Sequence, residues 1–281
     1  MTVRVAVVQM GSRPEGSVET IVELCKAADK AASAGAQLVV FPEALAGGYP
    51  KGQDFGAKVG VRTQEGRAQF RRYYENALDI PSPEVEQMAE AAARNQVWMV
   101  VGIIERAGGT LYCTVLFFSP AGTLAGKHRK VMPTAVERLI WGQGDGSTLT
   151  VLNTGIGSLG AVICWENYMP LLRYTMYAKG IQLYCACTVD DRDSWVFTMR
   201  HIAIEGRCFV LSACQFVDGL IRGGSLIANP FGELLAGPVY GEETILLADL
   251  DMGQIAEGKF DLDVAGHYAR PDIFSLTVTQ R

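Results

Sequence analysis

The stretch Ser158–Pro170, SLGAVICWENYMP, runs from an apolar, strand-like segment ending at Cys164 into a proline suited to the first turn of a helix. A strand-to-helix turn lifts a side chain out of the sheet at its C-terminal edge, where open α/β sheets bind ligands. The N–H groups that follow are free to stabilise an oxyanion, and the positive end of a helix favours thiolate over thiol. A structural reading stands beside this one, because free Cys commonly behaves as a small buried hydrophobe. That is the reading for Cys25, on the apolar stripe of a helix, and for Cys113, Cys185, Cys187, Cys208 and Cys214, in or beside strand-like runs.

Outward from Cys164 the same apolar, β-branched character recurs. It marks strands over Val3–Met10, Gln37–Phe41, Val97–Glu105, Leu111–Ser119, Leu149–Asn153, Leu159–Cys164, Leu183–Val189, Phe209–Val217, Ser225–Ala228, Leu234–Ala236 and Thr244–Asp249. Most of these runs are continuous rather than alternating, which predicts strands covered on both faces. Helical spacing separates them. Val18, Ile21, Val22, Cys25 and Ala28 predict a helix capped by Ser17, and Val85, Met88, Ala89 and Ala92 one capped by Ser82 with Pro83 in its first turn. Two more are predicted over Met169–Lys179 and Asp193–Glu205, stopped by Gly180 and Gly206. Pro120-Ala121-Gly122 and Asn229-Pro230-Phe231-Gly232 read as hairpin turns. The mixture, free of repeats and linkers, predicts one α/β domain over residues 1–281; periodicity alone leaves one sheet or two stacked sheets open.

Composition narrows the classes. The chain has 281 residues, 49% hydrophobic, with a formal net charge of −5 and scattered basic residues, so no nucleic-acid partner is expected. No run reaches the roughly 18 apolar residues of a membrane span. The start, MTVRVAVVQM, reads as a strand rather than a signal peptide, and seven cysteines cannot all pair within one chain. Both point to the cytoplasm and to free thiols.

A nucleophilic thiol needs a proton acceptor and a group to hold developing negative charge. His128, His201 and His267 are not singled out by their contexts. Glu43 closes the run Leu38–Pro42, where burial would raise its pKa towards that of a working base. Lys130 follows Gly126-Lys127-His128-Arg129 at a transition out of a strand. A solvated charge at a strand end is the plainer local reading of each.

Taken together these segments resemble the nitrilase superfamily of carbon–nitrogen hydrolases, and within it the nitrilase branch. Glu43 in VVFPEAL, Lys130 in GKHRKVMPT and Cys164 in GAVICWENYMP match the family's Glu–Lys–Cys triad in order and flanking sequence. Glu137 in ERLIWGQGDG matches a second glutamate counted as a fourth catalytic member. The likeness continues through GGYPKG at 47–52, DDRDSW at 190–195, Met199–Phe216, Arg222–Pro238 and the segment FDLDVAGHYARPDIFSL. It implies a four-layer α-β-β-α sandwich, a dimer or larger homo-oligomer, and no cofactor or metal.

The chemistry implied is hydrolysis of a small nitrile to carboxylic acid and ammonia. Cys164 attacks the nitrile carbon to give a thioimidate, with Glu43 moving the proton. Water adds, Lys130 and the N–H of Trp165 stabilise the tetrahedral intermediate, ammonia leaves a thioester, and a second water releases the acid. Glu137 is expected to orient the lysine and the water; Tyr49, Trp165 and Thr188 are expected in the substrate pocket. Cyanide hydration or dihydration and amide hydrolysis are the alternatives within the superfamily, and an inactive scaffold protein the alternative outside enzymes. Cys187 stands where the family commonly has proline, which is expected to alter the pocket. The short Gln215–Arg222 segment and the short tail predict a smaller oligomer with the dimer retained.

Overall fold

The computed structural model describes residues 1–280. In chain order the elements are β1 (Thr2–Gln9), α1 (Ser17–Ser33), β2 (Leu38–Val40), α2 (Gln64–Glu75), α3 (Pro83–Asn95), β3 (Trp98–Ala107), β4 (Thr110–Phe118) and β5 (Leu124–Arg129). They continue with β6 (Val151–Thr154), β7 (Gly157–Ile163), α4 (Pro170–Ala178), β8 (Leu183–Thr188), α5 (Asp193–Gly206) and β9 (Phe209–Cys214). The last are β10 (Phe216–Val217), β11 (Ile221–Ala228), β12 (Leu234–Tyr240), β13 (Thr244–Asp251) and α6 (Gly253–Asp261).

Two sheets form. One has the order β13-β1-β2-β3-β4-β5; the other has the order β10-β11-β9-β8-β7-β6, with β12 on β11. The centres are parallel, β1–β2–β3 in one and β7–β8–β9 in the other. Strand periodicity then sorts the apolar side chains into three layers of core. Val3, Val5 and Val7 face Leu159, Ala161, Ile163 and Cys185 between the sheets. Ala6, Val8 and Val39 pack outward on Ile21 and Leu24 of α1 and Met88 of α3. On the other side Val162, Tyr184 and Ala186 meet Met176 of α4 and Met199 of α5. The result is the four-layer α-β-β-α sandwich, and it explains why the central strands are apolar at consecutive positions. Each fully buried valine of β1 contributes roughly 1.5–3 kcal/mol by leaving water.

Several local expectations are corrected by tertiary contacts. Ser17 does not cap α1: Gly16 does, and Asn76 supplies the missing acceptors, its Oδ1 to Ser17 N at 2.8 Å and its carbonyl to the Ser17 hydroxyl at 2.5 Å. Val18 and Val22 face solvent, because the buried stripe of α1 is centred on Ile21, Leu24 and Ala28. Gly206 is the last residue of α5 rather than its stop; Arg207 takes the left-handed conformation. Glycine is required at 206 for a different reason, since a Cβ there would lie 2.3 Å from the Tyr177 ring. The run Phe209–Val217 is broken at Gln215, which leaves the ladder between β9 and β10. Both expected hairpin turns form, with Gly122 and Gly232 at positive φ.

Gly102 of β3 has the tightest bearing on function. A Cβ there would lie 2.2 Å from Pro42 O and 2.7 Å from Glu43 Cα, so only glycine lets the turn after β2 settle on β3. Gly102→Ala is expected to cost roughly 1–3 kcal/mol through overpacking and to depress kcat by displacing Glu43. Urea denaturation alongside turnover checks both.

Candidate active site

Glu43 lies just beyond β2, at the C-terminal edge of the first sheet. The turn is fixed by Leu45 N donating to Gly102 O at 2.9 Å, by Gln215 Nε2 donating to the Glu43 carbonyl at 2.7 Å, and by Ala44 at φ 49°. The carboxylate is completely buried. Its Oε1 accepts from Lys130 Nζ at 2.7 Å and from the Cys113 thiol at 3.5 Å. Oε2 has no hydrogen-bond partner among the described residues, which leaves it free to take a proton. Burial pushes the Glu43 pKa up, more strongly than Lys130 pulls it down, and Glu137 adds to the rise.

Lys130 follows β5 and is pinned through its backbone: its N donates to Cys113 O and its carbonyl accepts from Gly144 N, both at 2.8 Å. The ammonium sits between Glu43 and Glu137, the latter at 2.8 Å, and 5.4 Å above the Trp141 ring. Burial alone would lower its pKa, yet the carboxylates of Glu43 and Glu137 hold it well above the usual lysine value. It is a permanent cation. Glu137 stands on a short 3₁₀ turn, Ala135–Leu139, its Oε2 accepting from Thr134 N at 2.6 Å and its Oε1 from the Tyr49 hydroxyl at 2.8 Å. Burial and the neighbouring carboxylates keep Tyr49 a neutral donor.

Cys164 directly follows β7, at φ 48° and only 3% exposed, and opens a 3₁₀ turn, Cys164–Tyr168. Helix α4 starts only at Pro170, so the helix end does not reach the sulfur. This corrects the expectation of a thiolate favoured by a helix dipole: burial, then the charge on Glu43, drives the thiol pKa well above its ordinary value, and Lys130 only partly offsets them. A thiol held in that form reacts as a nucleophile only when a base takes its proton.

Cys164, Glu137, Tyr49 and Trp165 line a cavity of about 630 Å³ together with the Pro50–Asp54 loop and Val189–Arg192. Trp165 is clamped: its Nε1 donates to Asp190 Oδ2 at 2.9 Å, Arg192 pairs with Asp190, and the guanidinium lies 4.6 Å from the indole centre. Of the expected pocket residues, Thr188 is not on the cavity wall; its buried hydroxyl accepts from Asp190 N at 2.9 Å and acts to lower the Cys164 pKa. Cys187 likewise lies in the core between the sheets rather than on the wall. The short Gln215–Arg222 segment forms a tight hairpin whose Arg222 braces Asp191 of the wall through Nε to the Asp191 carbonyl at 2.6 Å. None of the three histidines lines the cavity. Cys113 is the site residue that local sequence missed; nothing in its flanks separates it from the other buried thiols.

Residues 4–260 match the family Carbon-nitrogen hydrolase, and the chain belongs to that family. Over 298 residues it is 55% identical to a nitrilase of Bradyrhizobium diazoefficiens, covering 100% of this chain and 93% of the relative. It is 54% identical to an aliphatic nitrilase of Sinorhizobium fredii, covering 99% and 96%. In three dimensions it resembles the crystal structure of a Saccharomyces cerevisiae member of branch 10 of the nitrilase superfamily, with a TM-score of 0.76 at 22% identity over 95% of this chain and 96% of that one.

A base whose pKa is raised by burial must still be ionised to act. The acid limb of kcat/KM is accordingly expected above the ordinary glutamate range, with activity lost as pH falls through the raised Glu43 value. A pH–rate profile that instead breaks at the value of an exposed glutamate would exclude Glu43 as the base.

Proposed function

We propose that this protein hydrolyses small organic nitriles to carboxylic acid and ammonia, with residues 1–281 acting as one hydrolase domain. The observation that carries the reading is the meeting of Glu43, Lys130 and Glu137 on short charged hydrogen bonds behind the one cysteine that opens onto the cavity. The likeness to nitrilases at more than half of all positions supports the choice of nitrile over other carbon–nitrogen bonds.

In this reading Cys164 Sγ adds to the nitrile carbon while its proton passes to Glu43 and on to the nitrile nitrogen, giving a thioimidate. Water then adds to that carbon and leaves a proton on Glu43. The tetrahedral intermediate places its charge against the Lys130 ammonium and the Trp165 N–H. Proton return from Glu43 to nitrogen, followed by transfer of the new hydroxyl's proton to the same nitrogen through Glu43, expels ammonia and leaves the thioester carbonyl, which a second water opens to the acid, restoring the thiol. Glu137, held by Tyr49 and Thr134, keeps the lysine aimed. Tyr49 and Trp165 shape the space for the substrate, and Thr188 acts behind the sulfur.

Exposed Leu171 on α4 and Phe197 on α5 support self-association as a homodimer or larger assembly. All seven cysteines are free, which suits a reducing compartment such as the cytoplasm. No helix among the described residues is long and apolar enough to cross a membrane.

The test is a product profile over aliphatic and aromatic nitriles, cyanide and carboxamides, with ammonia, acid and amide quantified. Acid and ammonia from nitriles are expected. Ammonia from carboxamides but not nitriles would replace the proposal with amide hydrolysis.

A further inference from the structure

Glu166 is completely buried, two residues past the nucleophile, and takes no part in the chemistry above. Its two oxygens accept three hydrogen bonds. Oε2 takes Ile163 N at 2.8 Å and His128 Nε2 at 2.9 Å, and Oε1 takes Val131 N at 2.5 Å. Two of those donors are the peptides that flank the reacting groups, since Ile163 precedes Cys164 and Val131 follows Lys130. One carboxylate thus ties the β7 exit of the nucleophile to the β5 exit of the lysine.

The histidine completes the arrangement. His128 is also fully buried, and its Nδ1 faces the Thr148 carbonyl at 3.0 Å. The Thr148 carbonyl can only accept, so Nδ1 carries a proton, and Nε2 shares its hydrogen bond with the Glu166 carboxyl group that also holds the two backbone N–H groups. Burial works against a charged ring and Lys179, just past α4, repels it, but Glu166 outweighs both and raises the His128 pKa.

We infer that Glu166, held by His128, is a positioning residue for the reaction: it fixes Cys164 and Lys130 relative to each other so that sulfur reaches the substrate carbon while the ammonium faces the atom beside it. This rests on the nitrile-hydrolysing reading for the reaction it serves, but not for its geometry. Glutamine is the informative replacement at 166, having the same size but one acceptor oxygen. Whichever way the amide turns, an NH₂ group opposes either Ile163 N or Val131 N, so one of the two catalytic anchors is released. A displacement of the order of 1 Å at a reacting group costs about 10²-fold in rate.

The experiment compares the intact wild-type protein with Glu166→Gln, His128→Gln and His128→Leu. It reads kcat and KM on the best nitrile, the rate of Cys164 alkylation by iodoacetamide followed by peptide mass spectrometry, and the folded fraction by circular dichroism. Per folded molecule, Glu166→Gln is expected to lose about 10²-fold in kcat with KM changed less than about twofold, and to alkylate at an altered rate. His128→Gln places an amide N–H where Nε2 stood and is expected to retain more kcat than His128→Leu, which leaves Oε2 with a single donor. Folded Glu166→Gln with wild-type kcat and alkylation overturns the proposal. So do two His128 variants of equal kcat, and they decide the matter if Glu166→Gln does not fold. Alkylation needs no nitrile, so an unexpected substrate class would leave that arm intact and be recognised as a failure of the proposed reaction instead.

Discussion

Lys130→Met is expected to disable the protein twice, lowering kcat/KM by at least about 10²–10³-fold and stability by roughly 3–5 kcal/mol. The first effect follows from losing the buried cation that, in the proposed reaction, opposes the charge of the tetrahedral intermediate. The second follows from what remains. Glu43 Oε1 and Glu137 Oε2 lie 2.7 and 2.8 Å from one ammonium, and without it two carboxylates share a dry space. Glu43, already raised by burial and by Glu137, loses the partner that holds it down and rises further. The sign of the pH dependence is fixed by that direction. A carboxyl whose folded pKa exceeds its unfolded one favours folding fully below the unfolded value, and this advantage drains away as pH climbs through the folded value. The stability deficit of Lys130→Met should therefore be smallest in acid and grow towards neutrality. Urea denaturation of both proteins across that range is the check; a deficit independent of pH would mean the ammonium is not what neutralises Glu43.

Cys164→Ala should remove turnover, by at least about 10⁴-fold, and leave the fold nearly untouched. The backbone at 164 is left-handed, φ 48°, and alanine pays the same conformational cost there as cysteine. The side chain lost is small, so stability should change by no more than about 1–2 kcal/mol. Intact-mass measurement during turnover supplies the complementary result: a substrate-derived adduct on the wild type and none on Cys164→Ala. Substantial residual hydrolysis by the folded variant would remove the sulfur from the reaction.

The parts of the fold that were legible in sequence are those whose signal is local. Continuous apolar strands such as β7 and β8 read as buried on both faces because they are, and Ser82-Pro83 caps α3 as written, Ser82 Oγ accepting from Val85 N. Two helices were not legible. The α2 helix is polar over most of its length, with only Gly66 and Tyr73 buried, and α6 buries only Ile255 and Gly258, so neither shows an apolar stripe. The polar strand β5 was missed for the same reason, although Lys130 was read as leaving a strand. The caps that failed, at Ser17 and Gly206, failed because Asn76 and Tyr177 arrive from elsewhere in the chain. The site follows the same rule. Cys164 announces itself through its strand-to-turn context, whereas Cys113 acquires its place only by facing a carboxylate 70 positions away, and His128 by facing Glu166 38 positions on.

The raised pKa of the Cys164 thiol bears on the protein's durability. Peroxides and other oxidants consume thiolates far faster than thiols, and a sulfur that stays protonated between turnovers gives them little to attack. In the proposed reaction the electron pair becomes available when the proton passes to Glu43 and the substrate carbon receives it. The burial that disfavours the Cys164 thiolate also leaves only 3% of the residue open to oxidants in solution.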